Sequence, residues 1–115
     1  MNKNVIGKTG EALSVAYLKS MGHRILECGY RCKFGEIDII SFKDKTLHFI
    51  EVKTRSSNKY GAPRDAVTKE KLKHIRNVAE VYLKRIGVGV NTCLPDFDCS
   101  IDVIEVMVNH IEGVE

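Results

Sequence analysis

Two short segments constrain this chain more than anything else in it: Gly35-Glu36-Ile37-Asp38-Ile39-Ile40 and Phe49-Ile50-Glu51-Val52-Lys53. Each mixes apolar and ionisable residues with the period of two expected of a strand. If Asp44-Lys45 is the tip of a hairpin, Lys43 pairs with Thr46, Asp38 falls opposite Glu51, and Glu36 falls opposite Lys53. Directly opposed residues have Cβ atoms about 4.5–5.5 Å apart, and like charges in that position repel. A cation between Asp38 and Glu51 would remove the repulsion. The same register sends Ile37, Ile39, Ile50 and Val52 to the other face, as a buried side requires. Asp-Lys is not a favoured two-residue turn, because such turns prefer glycine. A three-residue loop or a bulge would shift the pairing.

The rest of the chain frames this hairpin. A first helix is expected from about Val5 to Met21, with Ala12, Leu13, Ala16 and Tyr17 forming its buried stripe and Gly22 ending it. Strands are expected at Arg24–Tyr30, Glu36–Phe42 and Leu47–Thr54. The serine, asparagine, glycine and proline between Arg55 and Arg64 mark a loop. A second helix follows over about Asp65–Ile86, with Val67, Leu72, Ile75, Ala79, Tyr82 and Leu83 as its apolar stripe and Gly87 and Gly89 after it. Ser100–Val108 supplies the last strand. The order is αβββαβ, an α/β fold in which the first three strands form an antiparallel meander. The crossover helix lets the fourth strand lie parallel to the third, giving a mixed sheet flanked by helices.

At 115 residues the chain is expected to form a single domain spanning residues 1–115. No apolar run approaches the roughly 20 residues that cross a bilayer, and no apolar leader follows Lys3 and Lys8, so no membrane association is expected and the expected location is cytoplasmic. Cys28, Cys32, Cys93 and Cys99 have C-x3-C and C-x5-C spacings that do not match the usual zinc sites. Reduced thiols packed at strand ends are expected. His23, His48, His74 and His110 show no ligand spacing and are read as structural or solvated.

The net charge of +3 matters less than its distribution. Arg31, Lys33, Lys43 and Lys45 bracket the acidic strand, and Lys53, Arg55, Lys59 and Arg64 follow the Glu-x-Lys. Lys69, Lys71, Lys73 and Arg76 lie on the second helix, whereas acids gather toward the C-terminus. A basic middle beside carboxylates suits a polyanion held near a metal. Arg55, Lys59, Arg64, Lys69 and Lys73 are the expected nucleic-acid contacts.

The combination GKTGEALSVAYLKSMGHRIL, GEIDII and HFIEVKTRSS, with YGAPRDAV before the second helix and CSIDVIEV at the last strand, closely resembles the YraN family, uncharacterised protein family 0102. The resemblance runs from Gly7 to Val106. That family resembles the PD-(D/E)xK nuclease superfamily, and within it the archaeal Holliday junction resolvases. The resemblance implies a restriction-endonuclease-like core and a Mg²⁺- or Mn²⁺-dependent nuclease that hydrolyses DNA phosphodiester bonds by attack of metal-activated water, on branched or single-stranded DNA. It implies Asp38 and Glu51 as metal ligands, the Val52 carbonyl as a further ligand, Glu11 as an auxiliary acid, and Lys53 beside the attacked phosphate. DNA is the expected partner ahead of RNA.

Two departures stand out. Ile37 occupies the place of the proline in the superfamily's name. Ser100-Ile101-Asp102 stands where relatives usually show Arg-Phe-Asp, so neither Asp98 nor Asp102 is placed in the site. Glu36 is expected to form a surface ion pair with Lys53. The alternative to a nuclease is a nucleic-acid-binding module of the same fold without efficient catalysis, acting in a repair or recombination assembly. One small domain offers one catalytic centre, so paired cuts on both strands require a homodimer or successive binding events.

Overall fold

The computed structural model describes residues 3–55, 67–87 and 97–115, with side chains from residue 7 onward. Helix α1 (Lys3–Ser20) is followed by strands β1 (Arg24–Cys32), β2 (Gly35–Lys43) and β3 (Thr46–Arg55), then helix α2 (Lys69–Arg85) and strand β4 (Asp98–Met107). The four strands lie in sequence order in one sheet. β1–β2 and β2–β3 are antiparallel and β3–β4 is parallel, so the crossover through α2 does what its length allows. Among the described residues no helix is long and apolar enough to cross a membrane.

The β2–β3 turn has the expected tip. Asp44 and Lys45 both take positive φ, 48° and 61°, the backbone of a type I′ turn made without glycine. The ladder then runs from Lys43–Thr46 to Ile39–Ile50 in the expected register. It stops there. Asp38 and Glu51 are not a ladder pair, and neither are Glu36 and Lys53. β3 stays paired to β4 as far as Arg55–Met107, so it is β2 that parts from β3.

The cause lies in the alternation of β2. Ile40 and Ile37 both pack in the cluster of Tyr30, Leu47, Phe49, Ile75, Val78, Ala79 and Tyr82 beneath α2. Ile39 packs with Ile50 and Leu18 beneath α1, joined by Val15, Val52 and Ile104. Residues three apart cannot share a face of a regular strand, so β2 turns over between Ile37 and Ile40. Ile37 therefore does not join Ile39, Ile50 and Val52 on one face, as strict alternation had implied.

Helix α1 also buries a different stripe from the expected one. Gly10, Ser14 and Leu18 are buried, with Glu11 and Val15 half-buried beside them, whereas Ala12, Leu13, Ala16 and Tyr17 are exposed. Leu13 and Tyr17 line a groove along Val103 and Met107 of β4. Small residues set the contact. A Cβ at Gly10 would lie 1.9 Å from Thr54 Oγ1 of β3, so only glycine lets the helix come this close. Ser14 returns its hydroxyl to the Gly10 carbonyl at 2.8 Å. The helix ends in a Schellman motif, with His23 N–H donating to Leu18 O and Gly22 N–H to Lys19 O, and Gly22 at φ +90°.

Helix α2 is capped by Thr68, whose hydroxyl accepts from Lys71 N–H at 3.1 Å. It buries Ile75, Val78, Ala79 and Tyr82, with Leu72 and Leu83 at the margins. The expected residues at 65 and 66 and Gly89 lie outside the described residues, as do Lys59, Arg64 and Cys93. Cys28 and Cys99 are exposed free thiols and Cys32 is a half-buried one, so the three cysteines among the described residues are unpaired but not all packed.

Candidate metal and phosphate site

Where β2 parts from β3, carboxylates from two elements converge. Glu11 from α1 and Glu36 and Asp38 from β2 each bring a carboxylate oxygen within 4.8 Å of the others. The close seat of α1 on Thr54 delivers Glu11, one residue past Gly10. The turning-over of β2 delivers Asp38. With no backbone partner across the opened ladder, Val52 N–H donates to Asp38 Oδ2 at 2.8 Å.

Glu36 does not pair with Lys53. Its carboxylate meets Arg31 Nε at 2.7 Å, across the β1–β2 ladder where Arg31 and Glu36 are partners. Glu36 thus belongs to the carboxylate group, although the sequence marked it only as a surface ion-pair residue. Glu51 is drawn the other way. It is 6% exposed, and one of its oxygens, Oε1, lies 3.4 Å from Lys53 Nζ and 3.2 Å from Lys71 Nζ of α2. Buried charge requires such partners. Among the described residues Glu51 is outside the three-carboxylate group, yet close enough for its charge to act on Asp38.

Electrostatics mark Asp38 as the centre. Burial raises its pKa, pushing it up to about 6, and the negative fields of Glu51, Glu11 and Glu36 add to the rise. The hydrogen bond from Val52 N–H works against them. A carboxyl held near 6 by burial and by like charges around it is one whose ionisation a cation would favour. The donors are all hard oxygens, the set that suits Mg²⁺, Mn²⁺ or Ca²⁺ rather than a thiolate-loving metal. Glu11, Glu36 and Asp38 therefore fit a divalent cation; Glu51 fits only after leaving its lysines.

The basic residues divide. Lys69 and Lys73 are exposed on α2. Lys71, two residues from each, turns inward to Glu51. It lies four residues before Ile75 and seven before Val78, on the helix's buried stripe, and that spacing was the available signal for a lysine aimed at the sheet. Arg55 ends β3.

A second polar group sits at the hairpin end of the same sheet. His48 Nδ1 bonds Asp102 Oδ2 at 2.6 Å, Ser100 Oγ donates to Asp102 Oδ1, and His23 Nδ1 bonds the buried Ser41 hydroxyl at 2.8 Å. The imidazoles of His23 and His48 meet edge to face, 4.7 Å between centroids. These contacts make both histidines structural and give Asp102 two partners, His48 and Ser100. Asp102 is not part of the three-carboxylate group.

Residues 10–106 match the family model described as Uncharacterised protein family UPF0102. The chain is similar to UPF0102 proteins of Alkaliphilus oremlandii (45% identical, covering 98% of this chain and 98% of the relative), Caldicellulosiruptor saccharolyticus (43%, 95% and 87%) and Chlorobium chlorochromatii (44%, 90% and 75%). The matched span contains every residue of the site just described.

Proposed function

The chain belongs to the uncharacterised protein family UPF0102, and from its convergent carboxylates we propose that it is a metal-dependent nuclease of the restriction-endonuclease-like kind, hydrolysing DNA phosphodiester bonds. The observation that carries this reading is the meeting of Glu11, Glu36 and Asp38 from two elements beside a buried glutamate and two lysines. Carboxylates crowded at a cost in repulsion, beside cations able to face a phosphate, are the two halves of such a site.

Mg²⁺ or Mn²⁺ bound there supplies Lewis-acid polarisation of a phosphoryl oxygen and a nucleophile at neutral pH. Glu11, Glu36 and Asp38 would hold the cation, and the Val52 carbonyl and, once released from its lysines, Glu51 would be further ligands. Arg31 steadies Glu36 through its 2.7 Å contact. Lys53 brings an ammonium group to face the charge that grows on the phosphate. Arg55, Lys69 and Lys73 steer the backbone of the DNA, and a homodimer or two binding events would cut both strands. The site is expected to act on branched or single-stranded DNA in the cytoplasm. The engagement of Glu51 with two lysines also favours the second reading, a DNA-binding module of the same fold without efficient catalysis.

Cleavage of labelled single-stranded, duplex, flap and four-way-junction DNA with Mg²⁺ or Mn²⁺, beside Glu51→Gln prepared identically, tests the proposal. Metal-dependent cutting lost in the variant supports it. Binding without cutting by either protein selects the module. Equal cutting by both would remove the support for this site.

A further inference from the structure

We propose that Lys53 and Lys71 form a phosphate seat which the Glu51 carboxylate fills until a divalent cation draws Glu51 away, so that cation and DNA bind cooperatively. This rests on the metal-site reading above and specifies how the two halves of that site communicate.

Both ammonium groups address one atom, Glu51 Oε1, at 3.4 and 3.2 Å, and they come from separate elements, β3 and α2. The carboxylate is the buried member, its side chain 7% exposed. The lysine side chains are 33% and 38% exposed and form the outer wall. A ligand arriving from solvent meets the lysines first. The chemistry they offer is that of two point charges for an anionic oxygen, the way lysine takes a phosphate.

Charge balance then couples the sites. Were a phosphate to take both lysines while Glu51 stayed in place, two anions would face each other and a buried carboxylate would lose its partners, a costly arrangement. A cation held by Glu11, Glu36 and Asp38 changes this, because Val52, the residue next to Glu51, already bonds Asp38 Oδ2 at 2.8 Å and so places the two carboxylates on adjoining stretches of backbone. Glu51 exchanges two ammonium partners for the cation, and the lysines are freed for the phosphate. Linkage requires the reverse effect as well, with phosphate on the lysines releasing Glu51 to the cation. Lys71 is in this account a competitor for Glu51 in one state and a phosphate contact in the other. A lysine present only to neutralise Glu51 for folding would show neither dependence.

The test uses the full chain and two binding measurements. Mn²⁺ affinity is read by electron paramagnetic resonance, and affinity for a labelled four-way-junction DNA by anisotropy with and without Ca²⁺. Wild-type protein should bind the junction about fivefold or more tightly with Ca²⁺, the lower range of typical coupling. Lys71→Met should bind Mn²⁺ more tightly by a similar factor and the junction more weakly, with the Ca²⁺ effect gone. Glu51→Gln should bind the junction without Ca²⁺ as tightly as wild type does with it. If Lys71→Met fails to fold, Lys71→Gln removes the charge while keeping donors to Glu51 and reads the same quantities. Mn²⁺ affinity unchanged or weaker in the Lys71 variant overturns the proposal, as does junction binding by wild type that ignores Ca²⁺ or is absent. Mn²⁺ binding undiminished in Asp38→Asn and in Glu11→Gln would instead sink the metal-site reading itself.

Discussion

The two ends of the β2–β3 hairpin are built from the same materials and handled in opposite ways. At the turn end the ladder is regular, and a group of polar side chains is joined in pairs: His48 with Asp102, Ser100 with Asp102, His23 with Ser41. At the far end the ladder stops at Ile39–Ile50, and three carboxylates crowd within 4.8 Å while a fourth needs two lysines. Satisfied networks hold a fold together. Crowded like charges weaken it and persist where something else is to bind. On the proposed function, the contrast separates the polar residues that serve stability from those that serve chemistry, although both groups contain an aspartate at hydrogen-bond distance from a β3 group.

The sharpest way to break this comparison is to remove one aspartate from each end. Asp38→Asn keeps an oxygen to accept from Val52 N–H and should fold, yet lower metal-dependent cleavage about a hundredfold or more, the scale of losing one electrostatic group at a reacting centre. Asp102→Ala leaves His48 and Ser100 without their shared acceptor. It should cost about 1–2 kcal/mol of stability and leave the cleavage rate of the folded protein within twofold. Thermal melts and single-turnover rates on both variants decide it. A stability loss at Asp38 with normal cleavage would reverse the assignment of the two ends.

The distinction was only partly legible in the residues. The order αβββαβ, the mixed sheet and the Asp44-Lys45 tip follow from periodicity and from one dipeptide between two apolar runs, signals that are local. The carboxylate site needed what local signals lack. Nothing in Ile37-Asp38-Ile39-Ile40 announces that the strand turns over, because no glycine or proline marks it; the two cores beneath α1 and α2 impose it from outside. Helix α1 misleads for a related reason. Hydrophobicity favours Leu13 and Tyr17, whereas closeness to the sheet favours Gly10 and Ser14, and closeness is what brings Glu11 to Asp38. Lys71 was hidden among Lys69 and Lys73, since a lysine on a buried stripe reads as part of a solvated face until its partner is known. Glu36 was assigned to Lys53 by a register that holds only as far as Ile39.

The two ends should also differ in how they respond to pH. Asp38 has its pKa raised from an ordinary 3.8 to about 6. The folded state therefore holds a proton there that the unfolded chain has lost. Stability from this group is greatest below about 4 and is lost as pH rises through about 6. The full shift corresponds to about 3 kcal/mol, and solvent screening of a partly exposed group reduces this to about 1–2 kcal/mol. Wild type should thus melt at a lower temperature at pH 7.5 than this end alone would give at pH 5, and Asp38→Asn should flatten that limb. Mg²⁺ should raise the melting temperature more at pH 7.5 than at pH 5, since only the ionised cluster gains from it. Equal shifts at both pH values would mean that the cation binds elsewhere.

The opposite limb belongs to the turn end and is the smaller effect. Burial lowers the pKa of His23 from its usual 6.5, helped by the charges of His48 and Lys43 and opposed by Asp102 and Asp44. The folded state prefers the neutral ring, so the stability contributed here is present above 6.5 and lost as pH falls through the lowered value. His23→Ala removes this dependence along with the bond to Ser41. Its melting temperature should be lower than wild type at pH 8, with a gap that narrows toward pH 5. A gap that widened on acidification would mean that protonated His23 is the stabilising form, drawn to Asp102 or Asp44, and that this end too is held by unbalanced charge.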